Sequence, residues 1–209
     1  MPLQNRVTPA GEIIATSARG TMMGNRGGML HRVDKTLGIK RWVTKQWVCC
    51  RLSFKGRWRE VMGPDGYTEL FFLDEATALA AGHRPCYECR RQDAVYFADL
   101  WGDVLGSGGR ARASEIDTVL HSERMTSDGA KATFKSQVSD LPIGVMVLHD
   151  GEPHLVFAGK LVRWSPEGYT MAISVPGDTL VDVLTPRSIV EVIRAGYDAD
   201  VHETVLAHV

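Results

Sequence analysis

Apolar positions in the first ninety residues follow two rhythms. "RWVTKQWVCCRLSF" and "RWREVM" are rich in Val, Trp and Phe and are separated by Lys55-Gly56, which reads as a hairpin. A second turn, "GPDG" at 63–66, leads into "YTELFFL", so two or three antiparallel strands are expected. Asp74 then suits the N-cap of a short Ala-rich helix, "EATALAA", because its carboxylate can accept the free backbone N–H groups of the first turn. Gly82 suits the left-handed residue that ends it. From about Cys86 the period turns helical, with Ala94, Phe97 and Trp101 at i, i+3 and i+7.

"GSGG" at 106–109 interrupts the pattern. Beyond it, Ser114 is the expected N-cap of "EIDTVLHSERM", whose Ile116, Val119 and Leu120 would face a core. "GVMVLHDGEPHLVFAGKLVRW" reads as strand, Asp-Gly turn, strand and a bend at Ala158-Gly159. Thr185 as N-cap, Pro186 at the first helical position and Gly196 past the end delimit a last helix. The fold class expected is α+β. A small zinc-stabilised hairpin and helix module occupies residues 1–105, a glycine-rich and helical connection 106–139, and a β-rich unit closed by a helix 140–209.

Composition adds little until charge is followed along the chain. At 209 residues, 44% apolar and 23% charged, the protein can bury a substantial core. No apolar run approaches the ~18 residues of a spanning helix, and "MPLQNRVTPAGEIIATSARG" lacks the apolar stretch of a signal peptide, so the expected location is the cytoplasm. The net charge of −1 conceals +9 over residues 1–60, −4 over 61–139 and −6 over 140–209. Basic Arg41, Lys45, Arg51, Lys55, Arg57 and Arg59 interleave with Trp42, Trp47, Phe54 and Trp58, and Arg90 and Arg91 follow the CxxC. Such a stretch can track a phosphate backbone and stack bases, so nucleic acid, DNA first, is the expected partner. The same residues also suit a solvated cationic face over a core of tryptophans. The acidic C-terminal half could contact a protein.

All four cysteines, Cys49, Cys50, Cys86 and Cys89, fall within 41 residues. In a reducing compartment this clustering argues for metal or redox chemistry rather than disulfides. A redox CxxC normally follows a parallel strand in a βαβ context; a hairpin and short helix upstream favour Zn2+. Neighbouring side chains on a strand point to opposite faces, so Cys49 and Cys50 cannot both enter one tetrahedron without a bulge. Alternation places Val48, Cys50, Leu52 and Phe54 on the more apolar face, expected to meet the CxxC helix. Cys50 is therefore the expected third ligand and Cys49 the reserve. His31 is the first candidate for a fourth ligand; His83 stands close but can be turned away by Pro85, and water or another group could complete the site.

The string "YTELFFLDEATALAAGHRPCYECRR" resembles the metal-binding domain of Ada-type DNA alkylation-repair proteins, through Phe71 and Phe72, the Ala-rich helix, Gly82, Arg84, Pro85, Cys86 and Cys89. The likeness covers about 25 residues, roughly 42–91 with the upstream hairpin, and none of 110–209. It implies zinc held by cysteines, with Cys86 and Cys89 as the second pair. The family spaces its first pair three residues apart, whereas here the two are adjacent. The resemblance leaves a variant in which Cys50 binds zinc and Cys49 is a free thiol able to accept an alkyl group.

Other chemistry is sparser. "ARGTMMGNRGGMLH", with Arg19 and Arg26, matches neither a P-loop nor a dinucleotide fingerprint but could form an anion nest, or simply a loop of tight turns. His121 and Glu123 in "LHSERM" could do acid–base work, or be solvated helix surface. Trp164 and Tyr169 flank a Ser-Pro-Glu-Gly turn and could stack a ligand or pack beneath the turn. The reading this supports is a zinc protein that binds nucleic acid, with a role in DNA repair. Its alternatives are a zinc-stabilised nuclease or alkyl-damage repair enzyme, or a protein or small-molecule interaction module.

Overall fold

Every residue of helix α1 (Glu75–Ala80) is buried, and this organises the architecture. The computed structural model describes residues 1–106 and 108–208. One six-stranded sheet carries β1 (Gln4–Val7), β2 (Ile13–Ala15), β3 (Met22–Asn25), β4 (Val48–Arg51), β5 (Leu70–Phe72) and β6 (Arg84–Pro85) in the order β2-β1-β5-β3-β4-β6. The other carries β7 (Phe134–Gln137), β8 (Met146–His149), β9 (Glu152–Phe157), β10 (Lys160–Ser165), β11 (Gly168–Ile173) and β12 (Leu180–Val183) in the order β11-β10-β9-β8-β12-β7.

Helix α1 is shared between the hydrophobic clusters of both sheets. Ala78 and Ala81 pack with Val7, Met22, Cys49, Leu70 and Phe72, while Ala76 and Ala80 pack with Met146, Leu155, Val162 and Trp164. Alanine fits because it adds no bulk where two layers approach and has the best helix propensity. Ala78→Leu should overpack this seam and cost about 1–3 kcal/mol, read as a lower urea midpoint. An unchanged midpoint would mean that the layers separate easily.

As expected, the Asp74 carboxylate caps α1, accepting from the Thr77 backbone N–H at 2.8 Å, and Gly82 lies at φ 83° just past its end. Asp74 also accepts from the Tyr169 hydroxyl at 2.7 Å and the His202 N–H at 3.0 Å, which ties the cap to the second sheet. Trp164 donates to the Thr77 hydroxyl at 3.0 Å. Trp164 and Tyr169 thus pack inward rather than forming a stacking platform.

A third cluster joins Leu79, Phe97 and Trp101 to Ile116, Leu120, Val147, Val183, Ile189 and Val192. It unites α1 and α2 (Arg91–Leu105) with α3 (Ala113–Arg124), α4 (Arg187–Arg194) and the second sheet. Residues 106–139 therefore supply packed structure: α3 lies in this core, and β7 pairs with β12 at the edge of the sheet. Ser107 of the glycine stretch lies outside the described residues.

Several local expectations are corrected. Residues 57–62 form no strand, although Lys55 and Gly56 do turn, at φ 53° and 65°. The partners of β4 are β3, antiparallel and from the glycine-rich segment, and β6, parallel. Gly24 lets β3 approach, since a Cβ there would stand 2.2 Å from the Val48 carbonyl oxygen. Helix α3 is capped at Arg112 rather than Ser114, and Val119 is exposed. The Thr185 hydroxyl accepts from the Met146 N–H at 2.9 Å and does not cap α4, which starts at Arg187. The hairpin at Asp150-Gly151 and the bend at Ala158-Gly159 form as read, with positive φ at all four residues.

Candidate metal centre

The pairing of β4 with β6 builds the cysteine site. Register sets Cys49 opposite Pro85, and the Cys86 N–H donates to the Cys49 carbonyl at 2.9 Å. Cys86 is thereby carried alongside Cys50. The chain then turns, with the Arg90 N–H donating to the Cys86 carbonyl at 2.9 Å, and this brings Cys89 back to the same side. The sulfurs of Cys50, Cys86 and Cys89 all lie within 4.8 Å of one another. Tetrahedral zinc with Zn–S near 2.3 Å needs sulfurs about 3.8 Å apart, so three thiolates so placed can hold it with small side-chain adjustments.

Backbone groups favour the anionic sulfurs. The Cys86 thiol is lowered to about 5, first by hydrogen bonding with Cys50 and then by the backbone N–H groups of Cys89 and Glu88, against the opposing effect of burial. Cys89 is lowered by its hydrogen bond with Cys50 and by the Arg51 N–H. Cys50 is pushed up as the thiol that keeps its proton between two thiolates, with burial adding to the effect. Three sulfurs this close cannot all ionise without a cation, and a bound divalent metal supplies that charge. Cys50 is buried in the strand, whereas Cys86 and Cys89 are half-buried, so the centre reaches solvent on the helix side.

Cys50 is the residue that alternation selected, but the polarity of the faces is the reverse of that expected. Cys49, at 0% exposure, faces the hydrophobic core with Leu70 and Phe72, while Leu52 is 52% exposed. The Cys49 sulfur accepts from Arg90 at 3.6 Å, and burial pushes its thiol up. Sealed and protonated, Cys49 is unsuited to be a reactive thiol.

His31 does not join the cysteines. Its Nδ1 meets the Thr68 hydroxyl at 2.7 Å and its Nε2 meets the Gly63 carbonyl at 3.0 Å, so both ring nitrogens are engaged in fixing the loop around residues 28–38. His83 is fully buried against Trp47 and Phe72. Among the described residues the group able to hold a metal consists of three cysteines, with no His, Cys, Asp or Glu as a fourth member.

Of the basic residues expected to face nucleic acid, Arg41, Lys45, Arg51, Lys55, Arg57, Arg59 and Arg91 are exposed. Arg90 is not: it is 3% exposed and paired with Glu75 at 2.7 Å and Asp93 at 2.8 Å. Arg57 pairs with Glu88, and Arg59 with Glu69 at 3.3 Å. Trp58 is 86% exposed, Phe54 is flanked by Lys55 and Arg57, and Trp47 is buried at 2%. Glu123 does not serve His121; its carboxylate accepts from the Ser188 N–H at 3.0 Å and hydroxyl at 2.6 Å.

Fold and site together define an α+β protein with a three-cysteine group able to hold a metal ion. No protein-family model, curated protein or solved structure matches the chain. No helix among the described residues is long and apolar enough to cross a membrane. One cluster went unread in the sequence. Arg26, from the glycine-rich segment, and Arg124, from the end of α3, both lie over the Trp47 ring, with His83 beside them. The only local signal for it was a basic residue among glycines.

Proposed function

We propose that the protein holds Zn2+ through Cys50, Cys86 and Cys89 as a structural ion and binds nucleic acid, DNA first, through the cationic surface around that site. The observation that carries this reading is the grouping of three thiolate ligands where β4, β6 and the start of α2 meet, within a segment that carries unpaired surface cations. Arg41, Lys45, Arg51, Lys55 and Arg91 are exposed and have no carboxylate at ion-pair distance among the described residues. Zinc would fix the strand and turn that present Arg51 and Arg91, and exposed Trp58 offers a face on which a base can stack. The reducing cytoplasm suits four free cysteines.

The resemblance to Ada-type domains supports DNA as the polymer and repair as the setting. The burial of Cys49 argues against alkyl transfer to that thiol, and assigns the cysteines a scaffold part. The metal supplies the positive charge that three adjacent thiolates require, and the chain positions the surface around it.

The test is binding of a labelled DNA duplex in a salt series. Each phosphate contact contributes about −0.9 to the slope of log K against log salt, so the replacement Lys45→Gln, Lys55→Gln, Arg91→Gln should flatten that slope by up to about 3. Affinity indifferent to salt, or a triple variant that binds as the wild type does, would remove the reading. Equal binding of single-stranded RNA would move it to another polymer.

A further inference from the structure

Buried cations collect without counter-ions between the first sheet and the end of α3. Arg26 is 2% exposed and Arg124 1%, and their guanidinium carbons lie 3.9 Å and 3.7 Å from the Trp47 ring centroid. Lys131 is half-buried as a residue and turns its ammonium inward onto the Ala80 carbonyl. None of the three has a carboxylate at ion-pair distance among the described residues. Asp117, which acts on Arg124, is already held by two 2.8 Å hydrogen bonds from Arg84.

The partners these cations do have are carbonyls: Gly11 and Arg41 for Arg26, Gly82 and Lys45 for Arg124. Carbonyl dipoles and a shared indole recover part of the desolvation cost, since a cation–π contact contributes ~0.5–2 kcal/mol against several for burying an ion. Burial lowers all three: Arg26 to about 9, with repulsion from Arg124 and Arg41 adding to it, Lys131 to about 7, with repulsion from Arg26 and Arg124, and Arg124 to about 9, where Asp117 opposes the shift and Arg84 adds to it.

Two donors in the cluster also lack a well-formed hydrogen bond. Arg26 Nε donates to His83 Nε2 at 3.4 Å, which leaves the His83 proton on Nδ1, buried with only a poorly aligned Ala78 carbonyl near it. Arg124 Nε is buried and equally unmatched. At the surface end, Arg124 donates to His121 Nδ1 at 2.9 Å. An arginine cannot accept, so His121 carries its proton on Nε2. His121 is half-exposed, stands edge-on to half-exposed Trp42, and lies near exposed Lys45, whose carbonyl Arg124 also binds.

We propose that Arg26, His83, Arg124 and Lys131 form a binding site for a phosphate-type oxyanion, entered past Trp42, Lys45 and His121. An oxyanion offers the charge and the acceptor atoms that three cations and two unmatched N–H donors require, which water or a carbonyl supplies only in part. The site does not rest on DNA binding, because free phosphate satisfies it. The source of the group is either inorganic phosphate or the terminal phosphate of a nucleic acid.

Titration calorimetry of the zinc-replete 209-residue chain with inorganic phosphate, in a chloride buffer at low millimolar anion, tests the proposal. Saturable binding is expected, and it should quench Trp47 fluorescence. Lys131→Met should weaken it roughly 30-fold or more, the usual loss when one member of a buried charge contact is removed, while Lys160→Met, on β10 of the other sheet, leaves it intact. A 5′-phosphorylated oligonucleotide that displaces phosphate, where the unphosphorylated strand does not, would identify a nucleic-acid end as the source; failure of both to displace it would identify the free anion. No heat and no fluorescence change on wild-type protein would overturn the proposal, and so would binding that survives in a folded Lys131→Met protein. Should that variant not fold, His121→Phe at the half-exposed entrance takes its place, with the same two outcomes.

Discussion

Cys50→Ser should lose about one equivalent of zinc, with at least a hundredfold weaker apparent affinity, whereas Cys49→Ser should retain the metal. The two residues are adjacent on β4, share its backbone and are both buried, so any general disturbance of the strand would affect them alike. What separates them is the face. Cys50 points to Cys86 and Cys89 within 4.8 Å, while Cys49 points to Leu70, Phe72 and Arg90. Metal content by elemental analysis, read beside urea unfolding, distinguishes coordination from packing. Cys49→Ser should be destabilised in the metal-loaded protein because a hydroxyl replaces a sulfur in an apolar site, yet carry a full complement of zinc. His31→Ala should likewise keep its zinc. It should instead loosen the loop that His31 holds through Thr68 and Gly63. Equal zinc loss on Cys49→Ser and Cys50→Ser would require a bulge in β4 and would overturn the site as drawn.

The success of the alternation argument and the failure of its premise have one cause. Period-two alternation is a property of the strand itself, so Cys49 and Cys50 had to part, and which of them shares a side with Cys86 follows from the β4–β6 register. The polarity of each face is a tertiary property. Leu52 and Phe54 counted as apolar neighbours of Cys50, but the strand ends at Arg51 and Leu52 turns into solvent. Signals that act within a few residues were legible for the same reason: the Asp74 cap, Gly82 beyond α1, and the Asp150-Gly151 turn. Pairings over long separations were not. Nothing local says that β3 from the glycine-rich segment, rather than residues 57–62, lies against β4, because what decides the pairing is steric room at Gly24 beside Val48. Arg26 and Arg124 share Trp47 only because the fold brings together three segments that a linear reading treats as loop, strand and helix end. Arg90 was misread for the complementary reason. A basic residue after a CxxC looks like surface until a carboxylate from another element, Glu75, claims it.

That pair carries the second large effect. Arg90→Met should destabilise the protein by about 3–5 kcal/mol, the usual cost of stripping one partner from a buried ion pair. Arg90 spans the joint between the three-cysteine group and the rest of the fold: it donates to both oxygens of Glu75 at 2.7 and 2.9 Å, to Asp93 at 2.8 Å and to the Cys49 sulfur at 3.6 Å. Glu75 is 1% exposed and accepts in addition from the Tyr197 hydroxyl at 2.7 Å and the Asp200 N–H at 3.2 Å. The ion pair therefore links the first turn of α1, the start of α2 and the segment after α4. With methionine at 90 the Glu75 carboxylate keeps its two neutral donors but loses its cation, and α2 loses the contact that seats its first turn. Asp93, one-third exposed, can turn to water and should contribute little to the loss. Glu75→Gln in the Arg90→Met background removes the stranded charge while keeping an oxygen that accepts from the Asp200 N–H and an amide NH2 that can donate to the Tyr197 hydroxyl. The double variant should recover part of the loss, with a coupling energy of about 1–3 kcal/mol in a double-mutant cycle measured by urea unfolding. Additive effects would mean that Arg90 acts through packing alone. A wild-type midpoint for Arg90→Met would show that the ion pair does not hold α1 and α2 together.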